Sequence, residues 1–159
     1  MRAVLLSLLL VLPACSPQAA DQSPALAVQQ VSLHPESGLE VIPLTVTSLG
    51  KTHRFRVEVA RGPEEQARGL MFRTAMGPNE GMLFPYDPPR VLSFWMKNTV
   101  LSLDLIFIGP DKRVINVAAN AVPYSEQSIL SDAPAIATLE LNAGRAAELG
   151  IVAGARVDW

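Results

Sequence analysis

The chain has 159 residues, 49% of them hydrophobic and 18% charged, with a formal net charge of −2 at pH 7. That length suits one globular domain rather than two, and that balance excludes a disordered chain. The small negative charge argues against a nucleic-acid partner, which needs a basic stripe, and the single cysteine excludes both an internal disulfide framework and a multi-cysteine zinc site.

Residues 1–14 read as a secretory signal. Arg2 supplies a positive start, and residues 3–12 are apolar except for Ser7. Such a run is too short to span a bilayer, which takes about 20 apolar residues, but it suits the core of a signal. It ends in Leu12-Pro13-Ala14-Cys15, which resembles a bacterial lipobox with the cysteine as lipid acceptor. Pro13 departs from the usual small residue there, and ordinary cleavage near Ala14 is the other reading. Ser16 follows the cysteine, where an Asp would signal inner-membrane retention. The expectation is an exported, periplasmic protein tethered by a lipid on Cys15, at the outer rather than the inner membrane.

Residues 15–38 read as a flexible linker rich in Ala, Gln, Ser and Pro. The pairs Ser16-Pro17, Ser23-Pro24 and His34-Pro35 disfavour helix. His34 falls in this stretch and is given no role. The globular domain is then 39–159. Residues 41–49 and 53–60 alternate apolar and polar about Gly50-Lys51, which predicts a hairpin. Gly62-Pro63-Glu64-Glu65 opens a short helix that ends near Gly69. Further strands are expected over 81–84, 91–96, 103–108, 113–119 and 136–141, with 155–157 closing the sheet. Residues 143–149, with Gly150 as cap, predict a second short helix. The fold expected is α+β and mostly β: a compact single domain with a barrel-like or strongly curved sheet and two short helices.

Several blocks resemble those of the DUF192 family, an exported bacterial and archaeal domain of unknown function. They are Glu65 with Arg68-Gly69-Leu70-Met71-Phe72-Arg73, then Gly81-Met82-Leu83-Phe84, then Phe94-Trp95-Met96-Lys97-Asn98-Thr99 and Leu103-Asp104. Pro123 and Leu139-Glu140-Leu141-Asn142-Ala143-Gly144 follow, with Gly150-Ile151 and Gly154. Ser102 and Ala155 depart from the residues usual in relatives. The resemblance implies a small, compact, largely β domain and no established reaction.

The same blocks hold the residues able to do chemistry. Asp104 lies between Leu103 and Leu105, and a carboxylate in such a run needs a partner. It either forms a cleft with Arg73, Trp95, Lys97 and Asn98, or ties down a loop backbone. Glu140 lies between Leu139 and Leu141 and pairs either with Asp104 for acid/base work or with a cation. Arg68 and Arg73 suit carboxylate or phosphate recognition, or salt bridges to Glu65, Asp104 or Glu140. Met71, Met76, Met82 and Met96 offer thioethers to copper or flexible filling to a core; with no His or Cys beside them, core filling is favoured and no metal is expected. Ser125, Ser128 and Ser131 lack a nucleophile setting, and no phosphate loop or dinucleotide fingerprint is present.

No catalytic set is complete and no cofactor is implied. The reading is an envelope binding or accessory module with one small polar–aromatic pocket formed by Arg73, Trp95, Lys97, Asn98 and Asp104. Its partners are the membrane, through Cys15, and a small molecule, a glycan or an envelope protein, with no nucleic acid. The alternatives are an envelope-polymer hydrolase or lyase using Asp104 and Glu140, and a purely structural or assembly factor.

Overall fold

Alternation of apolar and polar residues builds most elements of the computed structural model, which describes residues 31–159. The signal, Cys15 and the linker up to residue 30 lie outside the described residues. β1 (Ser32–Leu33) pairs antiparallel with the start of β2 (Glu40–Ser48). Residues 31–38 therefore belong to the folded unit, which begins at Val31, and the linker boundary expected at residue 38 is corrected. An open strand edge takes up a further strand readily, and side chains at 34, 36 and 37 reinforce the docking.

β2 and β3 (Lys51–Val59) form the expected hairpin, with Leu44 opposite Phe55. Its turn residues Leu49 and Gly50 both have positive φ, 48° and 77°, as a twist-matched two-residue turn requires. α1 (Pro63–Arg68) starts on proline. The backbone N–H groups of Gly62 and Arg61 each donate to the Glu65 carboxylate at 2.7 Å and hold it below its usual pKa. α1 returns the chain so that β4 (Glu80–Arg90) runs parallel to β3. Gly81 is the second residue of β4, and a Cβ there would lie 2.5 Å from the Glu140 carbonyl oxygen, so the backbones of β4 and β9 meet at this point only over a glycine.

β5 (Ser93–Phe94) is shorter than the strand expected over 91–96. The chain turns after it, with Asn98 at φ 55° and the Thr99 N–H donating to the Met96 carbonyl at 3.0 Å. β6 (Leu103–Ile108) is buried at every position. β7 (Val114–Ala121) pairs with it across the turn at Pro110-Asp111. β8 (Ile129–Leu130) pairs only with β5 and lay outside every expected strand. β9 (Ala135–Asn142) runs between β4 and β6. α2 (Arg145–Leu149) ends on Gly150 at φ 65°, and β10 (Arg156–Asp158) returns to β2.

The result is a mixed sheet in the order β1-β2-β3-β4-β9-β6-β7, with β10 also on β2. The domain is mostly β with two short helices. The sheet is not closed into a barrel: among the described residues, β7 forms no ladder with β1 or β2, and one isolated bridge joins Arg113 to Arg156. Two apolar cores follow from strand parity. Ile106, Ile108, Leu139 and Leu141 pack with Leu44, Val57, Ala146 and Val157. Leu103, Leu105 and Phe107 pack on the other side with Met82, Phe84, Leu92 and Met96. Met82 and Met96 are thus core-filling residues.

Candidate functional site

Strand parity decides what each carboxylate can do. Asp104 stands opposite Leu141 and Glu140 opposite Leu105, so on these adjacent strands the two side chains leave opposite faces of the sheet. The expected acid/base pair is not formed. Asp104 has no solvent exposure. Its Oδ1 accepts the Asn120 N–H at 2.9 Å and the Gly144 N–H at 3.1 Å, and Oδ2 accepts the Ala146 N–H at 2.8 Å. Asn120 lies where the β6–β7 register shifts, and Gly144 is the N-cap of α2 with no side chain of its own. Asp104 thus supplies, from a neighbouring strand, the capping oxygen that α2 lacks. It is a structural residue and lines no cleft.

Arg73 is likewise withdrawn from the expected pocket. It is buried and forms a fork on Glu58, Nη1 to Oε1 at 2.9 Å and Nη2 to Oε2 at 3.1 Å, while Nε reaches Glu36 at 3.1 Å. Burial opposes its charge, but the hydrogen bonds and charge of Glu58, with Glu36 and Glu80, more than offset that and raise its pKa. Ser37 Oγ also donates to Glu58, and His34 Nδ1 lies 3.7 Å from it. The salt bridges expected to Glu65, Asp104 or Glu140 give way to these partners. Glu58 shares a strand face with Arg54 and Arg56, yet residues 34–37 cover it, and His34 has a place in the fold.

Glu140 is the group left over. It is 5% exposed and faces the second core, between Met82 and Leu105 on the flanking strands. Among the described residues no side chain or backbone group hydrogen-bonds its carboxyl, and burial alone pushes its pKa up to about 8. Thr138, two positions along the same face, has a buried hydroxyl that is also without a partner. Tyr86 is close enough for the Glu140 charge to add to the burial that raises its own pKa.

Above Glu140 lies a recess of about 40 Å³. One side is the C-terminal end of α1 and the turn beyond it, with Arg68, Gly69 and Met71. The other carries Phe84, Phe94, Trp95 and Thr99. Phe94 is held by edge-on packing to Phe84, with ring centroids 5.2 Å apart, and to Phe107 at 6.0 Å. Trp95 is 48% exposed, and the Lys97 ammonium lies 5.0 Å from its ring centre. Asn98 Nδ2 is 3.9 Å from Met71 Sδ, and its carbonyl accepts the Phe72 N–H at 2.9 Å.

Of the residues expected to form the pocket, Trp95, Lys97 and Asn98 thus stay together on one turn, with Trp95 lining the recess. Arg73 and Asp104 do not join them. Arg68, Met71, Phe94 and Thr99 line the recess but are not among the residues expected to form the pocket, although the blocks that carry the family resemblance contain all four. Those blocks supply nine of the eleven residues that line the recess.

Fold and site together define a small α+β domain, a mixed sheet that carries a recess over a buried carboxyl. The chain belongs to the DUF192 family, described as "Uncharacterized ACR", whose pattern matches residues 44–159. It is similar to a protein of unknown function from Novosphingobium aromaticivorans DSM 12444, at 48% identity and a TM-score of 0.80, covering 92% of this chain and all of that one. It is also similar to a protein from Sinorhizobium meliloti 1021 described as a "putative transcription regulator", at 40% identity and a TM-score of 0.74, covering 76% of this chain and 94% of that one. No functionally curated protein matches.

The raised pKa of Glu140 has a consequence for stability. The folded carboxyl keeps its proton up to about pH 8, whereas the unfolded one loses it near 4.5. Its contribution is fully present below the lower value and is lost as pH rises through the window between them. Glu140→Gln removes the titration. Relative to wild type, the variant is expected to gain little near pH 4.5 and about 2–5 kcal/mol by pH 8. Urea unfolding at the two pH values measures this, and parallel pH curves for the two proteins would contradict it.

Proposed function

We propose that the protein is a binding module of the cell envelope and that its ligand enters the recess over Glu140. The observation that carries this reading is a buried carboxyl with no partner, opening into a recess walled by aromatic side chains. Fold stability alone does not favour such a group, because desolvation without a hydrogen bond costs several kcal/mol. A ligand that completes its hydrogen bonding offsets that cost only when bound. Perturbed carboxyls in clefts are candidates for function on the same physical ground. The net charge of −2 does not favour a nucleic acid, so the regulator description of the Sinorhizobium relative is not carried over.

The test is a thermal-shift screen of the full chain against sugars, small carboxylates, amines and nucleotides, with Glu140→Leu alongside. A ligand at about 100 times its Kd adds roughly 2.7 kcal/mol. A response that Glu140→Leu removes, with the variant otherwise at least as stable as wild type, is expected. A destabilised variant with no responsive ligand would overturn the reading.

In this proposal the domain is exported and held at the outer membrane by a lipid on Cys15. The support is the apolar run over 3–12 and the placement of the one cysteine directly after it. Among the described residues no helix is long and apolar enough to cross a membrane. Cells expressing the full chain are expected to yield it in the membrane fraction and the detergent phase, and Cys15→Ser should shift it to the aqueous phase. Wild-type protein found entirely in the aqueous phase would refute the anchor.

A further inference from the structure

We infer that the ligand is an oligosaccharide, with one sugar ring stacked on Trp95 and a hydroxyl or hydroxymethyl arm inserted into the recess at Glu140. This rests on the binding reading above and gives it a substrate class. The recess is the first reason. With about 40 Å³ open to water-sized groups, it admits a small polar arm such as a hydroxymethyl group. The body of such a ligand then lies against the half-exposed Trp95.

The chemistry of the floor is the second reason. A carboxylic acid donates one hydrogen bond, and a carboxylate only accepts. A hydroxyl answers both, accepting from the acid and donating to the carboxylate. A cationic ligand would meet Arg68 at the rim and Lys97 beside Trp95. An anionic one would be repelled whenever Glu140 ionised. A neutral polyol meets neither obstacle, and Lys97, Asn98 and Arg68 supply donors for its ring and hydroxyl oxygens. Pyranose C–H bonds carry partial positive charge and suit the negative face of an indole.

The third reason lies in the flanking loops. Phe72 and Tyr124 are 63% and 62% exposed, and both have left-handed backbone, φ 64° and 61°. That conformation is unfavourable for bulky residues and concentrates where the surrounding structure has a use for it. Both loops are fastened to the Trp95 turn, the Phe72 N–H to the Asn98 carbonyl at 2.9 Å and the Tyr124 N–H to the Thr99 carbonyl at 3.2 Å. Three exposed aromatic residues therefore occur on one joined group of loops beside the recess.

The experiment uses intrinsic fluorescence. The chain has two tryptophans, so Trp159→Phe leaves Trp95 as sole reporter. The full chain in a sugar-free detergent is titrated to about 10 mM with chitotetraose, cellotetraose, sodium acetate and tetramethylammonium chloride. A saturable change with either tetrasaccharide is expected. Calorimetry should show binding weakened about tenfold or more in Glu140→Leu and lost in Trp95→Ala, with far-UV circular dichroism confirming that both fold. A Glu140-dependent response to acetate or tetramethylammonium, with none to the sugars, would overturn the saccharide assignment and leave the recess as the binding site. Silence toward all four probes would overturn the saccharide assignment as well, while the thermal-shift screen decides the recess separately. Sugar binding unaffected by Glu140→Leu would move the ligand away from the recess and overturn both.

Discussion

Asp104→Ala is expected to cost about 4 kcal/mol or more, among the largest losses available to a single substitution in this chain. The carboxylate accepts three backbone N–H groups that come from the β6–β7 irregularity and from the first turn of α2. Removing it strands those donors in a site with no solvent exposure, at about 1–3 kcal/mol for each that stays unsatisfied. Asp104→Asn should cost less, about 2–3 kcal/mol. Its amide oxygen can keep the Asn120 and Gly144 donors, while its NH₂ group faces the Ala146 donor. Urea unfolding gives the magnitudes. Amide exchange gives the location, because Gly144 and Ala146 should lose protection before the strands do. A loss below about 1 kcal/mol for Asp104→Ala would show that the helix start finds other acceptors and that the capping role is wrong.

Arg73→Met should cost about 3–5 kcal/mol, because it leaves Glu58 buried with no cation. The loss should belong to the pair rather than to either residue. In the double variant Glu58→Leu with Arg73→Met, the stranded charge is gone, and most of the stability should return. Buried ion pairs replaced together by apolar residues of similar size are often neutral. A double-mutant cycle reads the coupling directly. Simple additivity of the two single losses would mean that Arg73 and Glu58 act independently, against their forked geometry. The same substitution should loosen residues 34–37, since Glu36 is held by Arg73 and Ser37 by Glu58.

The elements that were legible in sequence share one property, a local cause. The hairpin of β2 and β3 needs only alternation about a glycine turn, although the turn falls at Leu49-Gly50, one residue before the Gly50-Lys51 expected. α1 needs proline at its start and glycine at its end, and α2 needs Gly150. β6 is an apolar run long enough for a strand and too short for a helix that would bury it. The misses have non-local causes. β1 and β8 are two-residue strands that exist only because β2 and β5 offer an edge. The strand expected over 91–96 stops early because the Met96 N–H is taken by the Ser125 carbonyl at 2.8 Å, a partner far along the chain.

The candidate site divides in the same way. Sequence by itself determined the family, the mostly-β class, the two short helices and the presence of two acids inside apolar strands that must each have a reason to be there. It also placed Trp95, Lys97 and Asn98 in one segment. It could not assign roles to the acids, because Asp104 and Glu140 look alike in sequence, each flanked by leucines. Only the tertiary structure separated them. Sheet pairing sends Asp104 toward the start of α2, where three backbone donors complete it, and sends Glu140 to the other face, where burial leaves it without a donor. One carboxyl is thereby consumed by the fold, and the other is left without a hydrogen-bond donor among the described residues.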